Sequence, residues 1–352
     1  MSNLIFMARS PLILAALAKA AAPQLNFTEV KGLSTGSSGA FETALLTSTT
    51  GEHYVIRVAT SQSAGAEQEV ELRALKALTK VDRMRLPFKV TNLVGETKDE
   101  KGARALVFEF VYGNQTDISM VGADTVLSAN IARAIAAIHN LDVALIENAH
   151  LASFGPAEIV RGRVAELDRF AATGKVPSVL LSRWEQALED TSLFRFKPTV
   201  VHGGLNGETF LTLDDEVSGV LGWSTLRVSD PAEDLAWIIG AGIHELSESI
   251  IDVYRQAHNQ VDDALLLRAT LYSEFEFARW LMFGIGKKNQ DIIDEAVLML
   301  EGLAEDVSTG AVGRLVAKQA APIAAAESFV APIQDVATRP IDLPGKPDSE
   351  LF

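Results

Sequence analysis

Several groups of residues along the chain have types that could do chemistry. Gly32-Leu33-Ser34-Thr35-Gly36-Ser37-Ser38-Gly39 interleaves glycines with hydroxyls. Such a stretch lets backbone N–H groups approach phosphate oxygens closely, and the hydroxyls add donors. The same composition also marks an ordinary hairpin loop. Further on, His202-Gly203-Gly204-Leu205-Asn206-Gly207-Glu208-Thr209-Phe210-Leu211 places an imidazole, an amide and a carboxylate within a few residues. Asp214-Asp215-Glu216, Asp230 and Asp234 supply more carboxylates. Phosphoryl transfer needs oxygen ligands to hold Mg²⁺ against the β- and γ-phosphates and a group to orient the acceptor hydroxyl. Cysteine is absent, which removes thiol catalysis, thiolate metal sites and disulfides.

The elements that must position these residues change in kind along the chain. Phe27–Leu33, Ala40–Ser48 and His53–Ala59 read as strands, the last two joined by a hairpin turn at Thr49-Thr50-Gly51-Glu52. Ala64–Thr79, with Leu72, Leu75 and Leu78 at helical spacing, reads as a helix. Val90–Glu96 and Arg104–Val111 read as two more strands across a polar turn. From Ser128 the pattern turns helical: Ala129–Leu141, Ala157–Thr173, Val179–Leu188, Asp234–His258, Asp262–Phe283 and Gln290–Asp306. Phe210–Leu213 and Val217–Leu221 form a small hairpin inside that helical part, with Asp214-Asp215-Glu216 at its tip. The fold class is α+β.

At the N-terminus the apolar run Leu12–Ala22 reads as a helix rather than a signal peptide. Ser10 is a good N-cap, Pro11 sits at the tolerated first position, Lys19 interrupts the run and Pro23 ends it. It is also shorter than the roughly 20 apolar residues of a membrane span. With 48% hydrophobic residues, 352 residues can bury a large core in two lobes. A net charge of −15 disfavours nucleic acid and anionic membrane as partners and suits a cytoplasmic protein. It leaves a small molecule or another protein. Five of the 12 prolines lie between Pro322 and Pro347, so the end of the chain reads as a flexible tail, with a docking role for Ile341, Leu343, Leu351 and Phe352 as the alternative.

The segment from His202 to Leu211, followed by Val217-Ser218-Gly219-Val220-Leu221-Gly222-Trp223, resembles the catalytic core of the aminoglycoside and macrolide phosphotransferases. These small-molecule kinases have a protein-kinase-like fold. Their first segment reads H-G-D-x-x-x-x-N followed by two hydrophobic residues, and their second reads G-hydrophobic-I-D-W. Ser229-Asp230-Pro231-Ala232-Glu233-Asp234-Leu235-Ala236 resembles their G-D-P-x-x-D-L-A, with Ser229 at its first glycine. The resemblance implies a bilobal fold, with an antiparallel five-stranded N-lobe and a helical C-lobe. On that basis the N-terminal helix spans residues 1–24, the N-lobe 25–112, the C-lobe 113–307 and the tail 308–352, with the interlobe link near Val111–Thr116.

The resemblance also implies roles. Ser37 and Ser38 fall in the phosphate-covering loop. Arg57 takes the place of the basic residue on the third strand, which is held by a carboxylate on the next helix. Glu67, Glu69 and Glu71 are all candidates for that carboxylate, and Glu69 joins Ser37, Ser38, Arg57, Glu109 and Val111 as the expected nucleotide-binding residues. Glu109 and Val111 fall in the hinge, whose backbone faces an adenine edge. His139 and His202 are structural, and Asp234 caps the next helix or orients the catalytic loop. Against this frame, Gly204 stands at the base Asp, Thr209 at the metal-binding Asn and Gly222 at the metal-binding Asp. The expectation is a pseudokinase with no catalytic residue and no metal site, a vestigial cleft, and ATP binding without strong Mg²⁺ dependence. Two alternatives are an active antibiotic-type phosphotransferase using Glu208 as a substitute ligand, and a metal-independent small-ligand sensor.

Overall fold

The computed structural model describes residues 9–33, 39–258 and 260–315. Ser37 and Ser38 lie outside the described residues, as does the chain from 316 onward, which carries most of the expected tail. The first helix, α1 (Pro11–Ala21), starts as its sequence dictates. Ser10 Oγ accepts from Ile13 N, and Pro11 occupies the first position. At its other end Lys19 Nζ donates to the carbonyls of Pro23 and Leu25. Leu14, Ala18 and Ala21 are buried against a sheet that supplies Ala44, Leu46, Ile56, Val58, Ala105 and Val107. The apolar run therefore packs on one face of this sheet. Among the described residues no helix is long and apolar enough to cross a membrane.

That sheet contains β1 (Phe27–Leu33), β2 (Phe41–Ser48) and β3 (His53–Ala59). Then come helices α2 (Gln62–Ala77) and α3 (Lys80–Arg85) and strands β4 (Lys89–Val90), β5 (Leu93–Lys98) and β6 (Arg104–Glu109). The sheet order is β1-β2-β3-β6-β5, and every neighbour is antiparallel. This is the expected five-stranded arrangement with two refinements. The helix after β3 is two helices, because Thr79 opens a new one through a reciprocal capping box with Asp82. The expected strand Val90–Glu96 is also two, and its first piece leaves this sheet for another.

The second sheet has the order β4-β10-β9-β7, with β7 (Asn114–Gln115), β9 (Phe210–Leu213) and β10 (Glu216–Val220). The expected hairpin is β9–β10, turned by Asp214 at φ +53°. The helices are α4 (Val126–His139), α5 (Val143–Asn148), α6 (Pro156–Ala172), α7 (Ser178–Glu189), α8 (Ala236–Ile239), α9 (His244–Ala257), α10 (Leu265–Lys287) and α11 (Gln290–Thr309). A short pair, β8 (Thr199–Val201) with β11 (Arg227–Ser229), lies among them. The single helix expected over Asp234–His258 is broken. Pro231–Asp234 forms a 3₁₀ turn, and α8 stops at Gly240, two residues before Gly242 at φ +70°. The interior between these helices is filled by Trp184, Trp223, Tyr254 and Phe275, all essentially inaccessible.

Candidate functional site

The loop after β8 is held from below by one carboxylate. Asp234 accepts from His202 N and Gly203 N, each at 2.7 Å, and from His139 Nε2 at 3.1 Å. Tyr254 Oη lies 2.7 Å from the other nitrogen of His139. Burial alone would push the Asp234 carboxyl up, but the His139 hydrogen bond, nearby imidazoles and loop N–H groups hold it below the usual range. Helix α8 has no side-chain cap, so Asp234 orients the loop rather than capping a helix. Asp230 is equally enclosed: Arg268 Nε at 2.7 Å, Tyr272 Oη at 2.8 Å and Ala232 N at 3.0 Å all donate to it.

His202 is also structural. Its Nε2 lies 3.0 Å from Leu221 O, which can only accept, so Nε2 carries the proton. Burial pushes its pKa down, which keeps the ring neutral. The ring packs edge-on to Trp223 at 4.9 Å, and Trp223 Nε1 donates to Val220 O at 2.9 Å. The two motifs singled out in the sequence are thereby brought together.

Each of the three glycine and threonine positions in that frame has a defined setting. A Cβ on Gly204 would lie 2.8 Å from Thr225 Oγ1. Thr209 turns its hydroxyl into its own loop, accepting from Asn206 N at 3.0 Å and donating to Asn206 O at 3.1 Å. Asn206 Oδ1 in turn accepts from Glu208 N and Thr209 N. Gly222 has φ +77°, a left-handed conformation that costs any side chain. Glu208 is exposed, and among the described residues it joins no group of three His, Asp or Glu able to hold a metal. At the hairpin tip, Asn130 on α4 donates to Asp215 O and Glu216 Oε2.

On β3, Arg57 Nη1 lies 2.9 Å from Glu71 Oε2 on α2, and its guanidinium covers the Phe41 ring at 4.2 Å. Glu71 is therefore the partner. The placement of Glu69 beside Arg57 is corrected: Glu69 pairs with Arg104 at 2.8 Å, and Glu67 accepts from Ser224 Oγ at 3.3 Å. The cause is helical geometry. At about 100° per residue, Glu67 and Glu71 share a face of α2 while Glu69 points away from it. In the expected hinge, Glu109 N donates to Asn92 O at 3.0 Å, and the Glu109 carboxylate accepts from Asn92 Nδ2. Val111 is buried, and its side chain lies where a Cβ on Gly219 would have to go.

On the C-lobe side of Gly204 lies a cavity of about 460 Å³. Its wall carries an unbroken alternation of charge, Arg227–Glu233–Arg163–Glu166–Arg279–Glu276, joined pair by pair. Arg227 ends the row against the loop, where its guanidinium fills the space that a Cβ on Gly203 would need. None of these six was singled out in the sequence as a site residue. Arg163/Glu166 and Glu276/Arg279 are i, i+3 pairs, which read as ordinary helix-surface pairs until the fold turns them toward one another.

The family model described as APH, the phosphotransferase enzyme family, matches residues 30–269. The chain belongs to this family. No curated protein matches it in sequence. Among solved structures, this family member is similar to the macrolide 2'-phosphotransferase MphH from Brachybacterium faecium, with 18% identity and a TM-score of 0.68 over 83% of this chain and 98% of that one. A macrolide 2'-phosphotransferase type I gives 22% identity and a TM-score of 0.67, covering 84% and 99% of the two chains. The GDP complex of aminoglycoside 2'-phosphotransferase-IIIa gives 16% and 0.68, covering 85% and 100%. At such identities the likeness establishes the fold, a protein-kinase-like α+β architecture.

Proposed function

We propose that this member of the phosphotransferase family binds a ligand in its cleft without transferring phosphate, and acts as a binding or scaffold protein. The observation that carries the reading is the set Gly204, Thr209 and Gly222. Mg²⁺ takes carboxylate, amide or phosphate oxygens in near-octahedral geometry. Here two of the three family positions have no side chain, and the third is a hydroxyl engaged with Asn206. The residues present do not fit the metal. Losing a positioned base alone costs roughly 10²–10⁴ in rate. Glu208, exposed at the loop surface, offers a single carboxylate in place of three groups.

The Arg57–Glu71 pair supports retention of a nucleotide, because a fixed guanidinium at this point of the N-lobe serves α- and β-phosphates. The test is calorimetry with ATP in the presence and absence of Mg²⁺. The reading expects the same affinity in both. A gain of tenfold or more on adding Mg²⁺ would move Glu208 from loop residue to ligand and favour the unusual-enzyme alternative.

A further inference from the structure

We propose that the groove between α2, α3 and α5 docks a short acidic segment of a partner protein in extended form. Residues 73–89 hold six of the chain's 31 Lys and Arg residues, with Asp82 as their single acid, inside a protein of net charge −15. Among the described residues none of these six makes an ion pair, whereas Arg9, Arg57, Arg104, Arg183 and Arg268 all meet carboxylates. Arg83 is absorbed by the fold, donating to the carbonyls of Leu75, Leu78, Val90 and Thr91. Arg73, Lys76, Lys80, Arg85 and Lys89 are exposed.

Two of these cations border a concavity. A cavity of about 430 Å³ lies where the end of α2 meets α3 and α5, with Ala77, Leu145 and Ala149 as its apolar lining and Arg73 and Lys76 as its cations. Its one carboxylate, Asp82, is turned onto Thr79, whose N and Oγ1 donate to it at 3.0 and 2.6 Å. Arg73 gives one N–H to His150 O at 3.5 Å, and Lys76 meets no polar group among the described residues. The neighbouring acids are committed or face elsewhere. Glu69 pairs with Arg104, and Asp142 caps α5 through Ala144 N. At about 100° per residue, Glu147 stands on the far side of α5 from Leu145, Asn148 and Ala149. The surplus at the groove is therefore positive.

Shape selects among anions. Arg73 and Lys76 stand one helical turn apart, about 5–6 Å between their Cβ atoms. Alternate residues of an extended chain lie roughly 6.6 Å apart on one side. Two acids at i and i+2 can thus meet both cations, leaving an apolar residue at i+4 for the Leu145 and Ala149 lining. A nucleic-acid duplex or a lipid surface is convex or flat at this scale and binds through many phosphates at once. Either would leave the concavity unfilled and bring phosphates against the acidic remainder of the protein. The inference concerns this groove alone and does not depend on what the cleft near Arg57 holds.

The probe is a short fluorescein-labelled peptide with two glutamates at alternate positions and a leucine two residues on, titrated with the 352-residue chain and followed by anisotropy. Saturable binding that weakens as salt is raised is expected, because the cations are exposed. Arg73→Glu combined with Lys76→Glu should weaken it roughly tenfold or more. Arg161→Glu combined with Lys175→Glu makes the same change of charge at exposed positions elsewhere and should leave it unaltered. Replacing the peptide's leucine by serine should weaken it about threefold or more. Lys76→Gln alters a side chain with no polar partner in the fold, so it reads the groove even if the double reversal disturbs folding, and it should weaken binding about threefold. No binding of the peptide, equal binding of a version with lysines in place of the glutamates, or equal losses in the two double variants would overturn the proposal. Binding of duplex DNA or phosphatidylserine vesicles through Arg73 and Lys76, without binding of the peptide, would overturn it too.

Discussion

The hydroxyl of Thr225 stands 2.8 Å from the point where a Cβ on Gly204 would be. Real Cβ atoms do not approach an oxygen so closely, so a side chain at 204 and the present Thr225 rotamer exclude one another. In a family whose loop carries an aspartate here, the space for that side chain is already taken.

Gly204→Asp is therefore expected to destabilise the chain by about 1–3 kcal/mol, the usual cost of forcing atoms into filled space. Thr225→Ala in the same protein should recover most of that loss. Urea denaturation of the two single variants and the double variant closes the cycle. Strictly additive effects would mean that the two residues do not compete.

Glu71 and Glu69 should separate cleanly in nucleotide binding. Glu71→Gln removes a charge-assisted hydrogen bond to Arg57 worth about 1.5–3 kcal/mol, so ATP affinity should fall roughly 10- to 100-fold. Glu69→Gln breaks a half-exposed pair with Arg104 and should leave ATP affinity unchanged. Equal losses in the two variants would show that Arg57 does not meet the nucleotide.

Asp234→Ala leaves two loop N–H groups and His139 without their common acceptor. Removing one partner from a buried charged network costs about 3–5 kcal/mol, which chemical denaturation at neutral pH will resolve. A change below 1 kcal/mol would mean that the loop is held elsewhere.

Stability should decline on acidification in two overlapping ranges. His258 is held down to about 4, by burial first and then by His139 and Lys197. As pH falls through about 6.5, the unfolded imidazole takes up a proton that the folded one refuses until about 4. Asp234 and Glu166 have depressed folded values despite burial, through His139 in one case and Arg279 with Arg163 in the other. Their stabilisation is complete above the unfolded carboxyl range near ~4 and is lost as pH drops through the folded values. Denaturation midpoints measured between pH 7 and pH 3 should fall throughout. A midpoint that rises on acidification would contradict the assignment.

Much of this architecture is legible in the residues themselves. The short apolar runs in His53–Ala59 and Arg104–Glu109, bounded by polar turns, give strands, and Ser10 with Pro11 gives the start of α1. The frame around His202 and Trp223 places their side chains together, as found at 4.9 Å. The choice of Glu71 was half legible, since the i+2 spacing sets Glu69 on another face of α2, but only the packed helix separates Glu71 from Glu67. The Arg227–Glu276 row was not legible. Its members come from β11, the Pro231–Asp234 turn, α6 and α10, and nothing local couples one of these elements to another. The break at Gly240–Gly242 was hidden by apolar residues on either side that keep a helical period.

The most direct measurement is phosphate turnover by the purified 352-residue chain. It should be made with ATP or GTP, Mg²⁺, and aminoglycoside or macrolide acceptors, comparing the unaltered protein with Glu208→Gln. The account expects neither protein to consume nucleotide above the enzyme-free rate. Turnover by the unaltered chain that disappears in Glu208→Gln would contradict it.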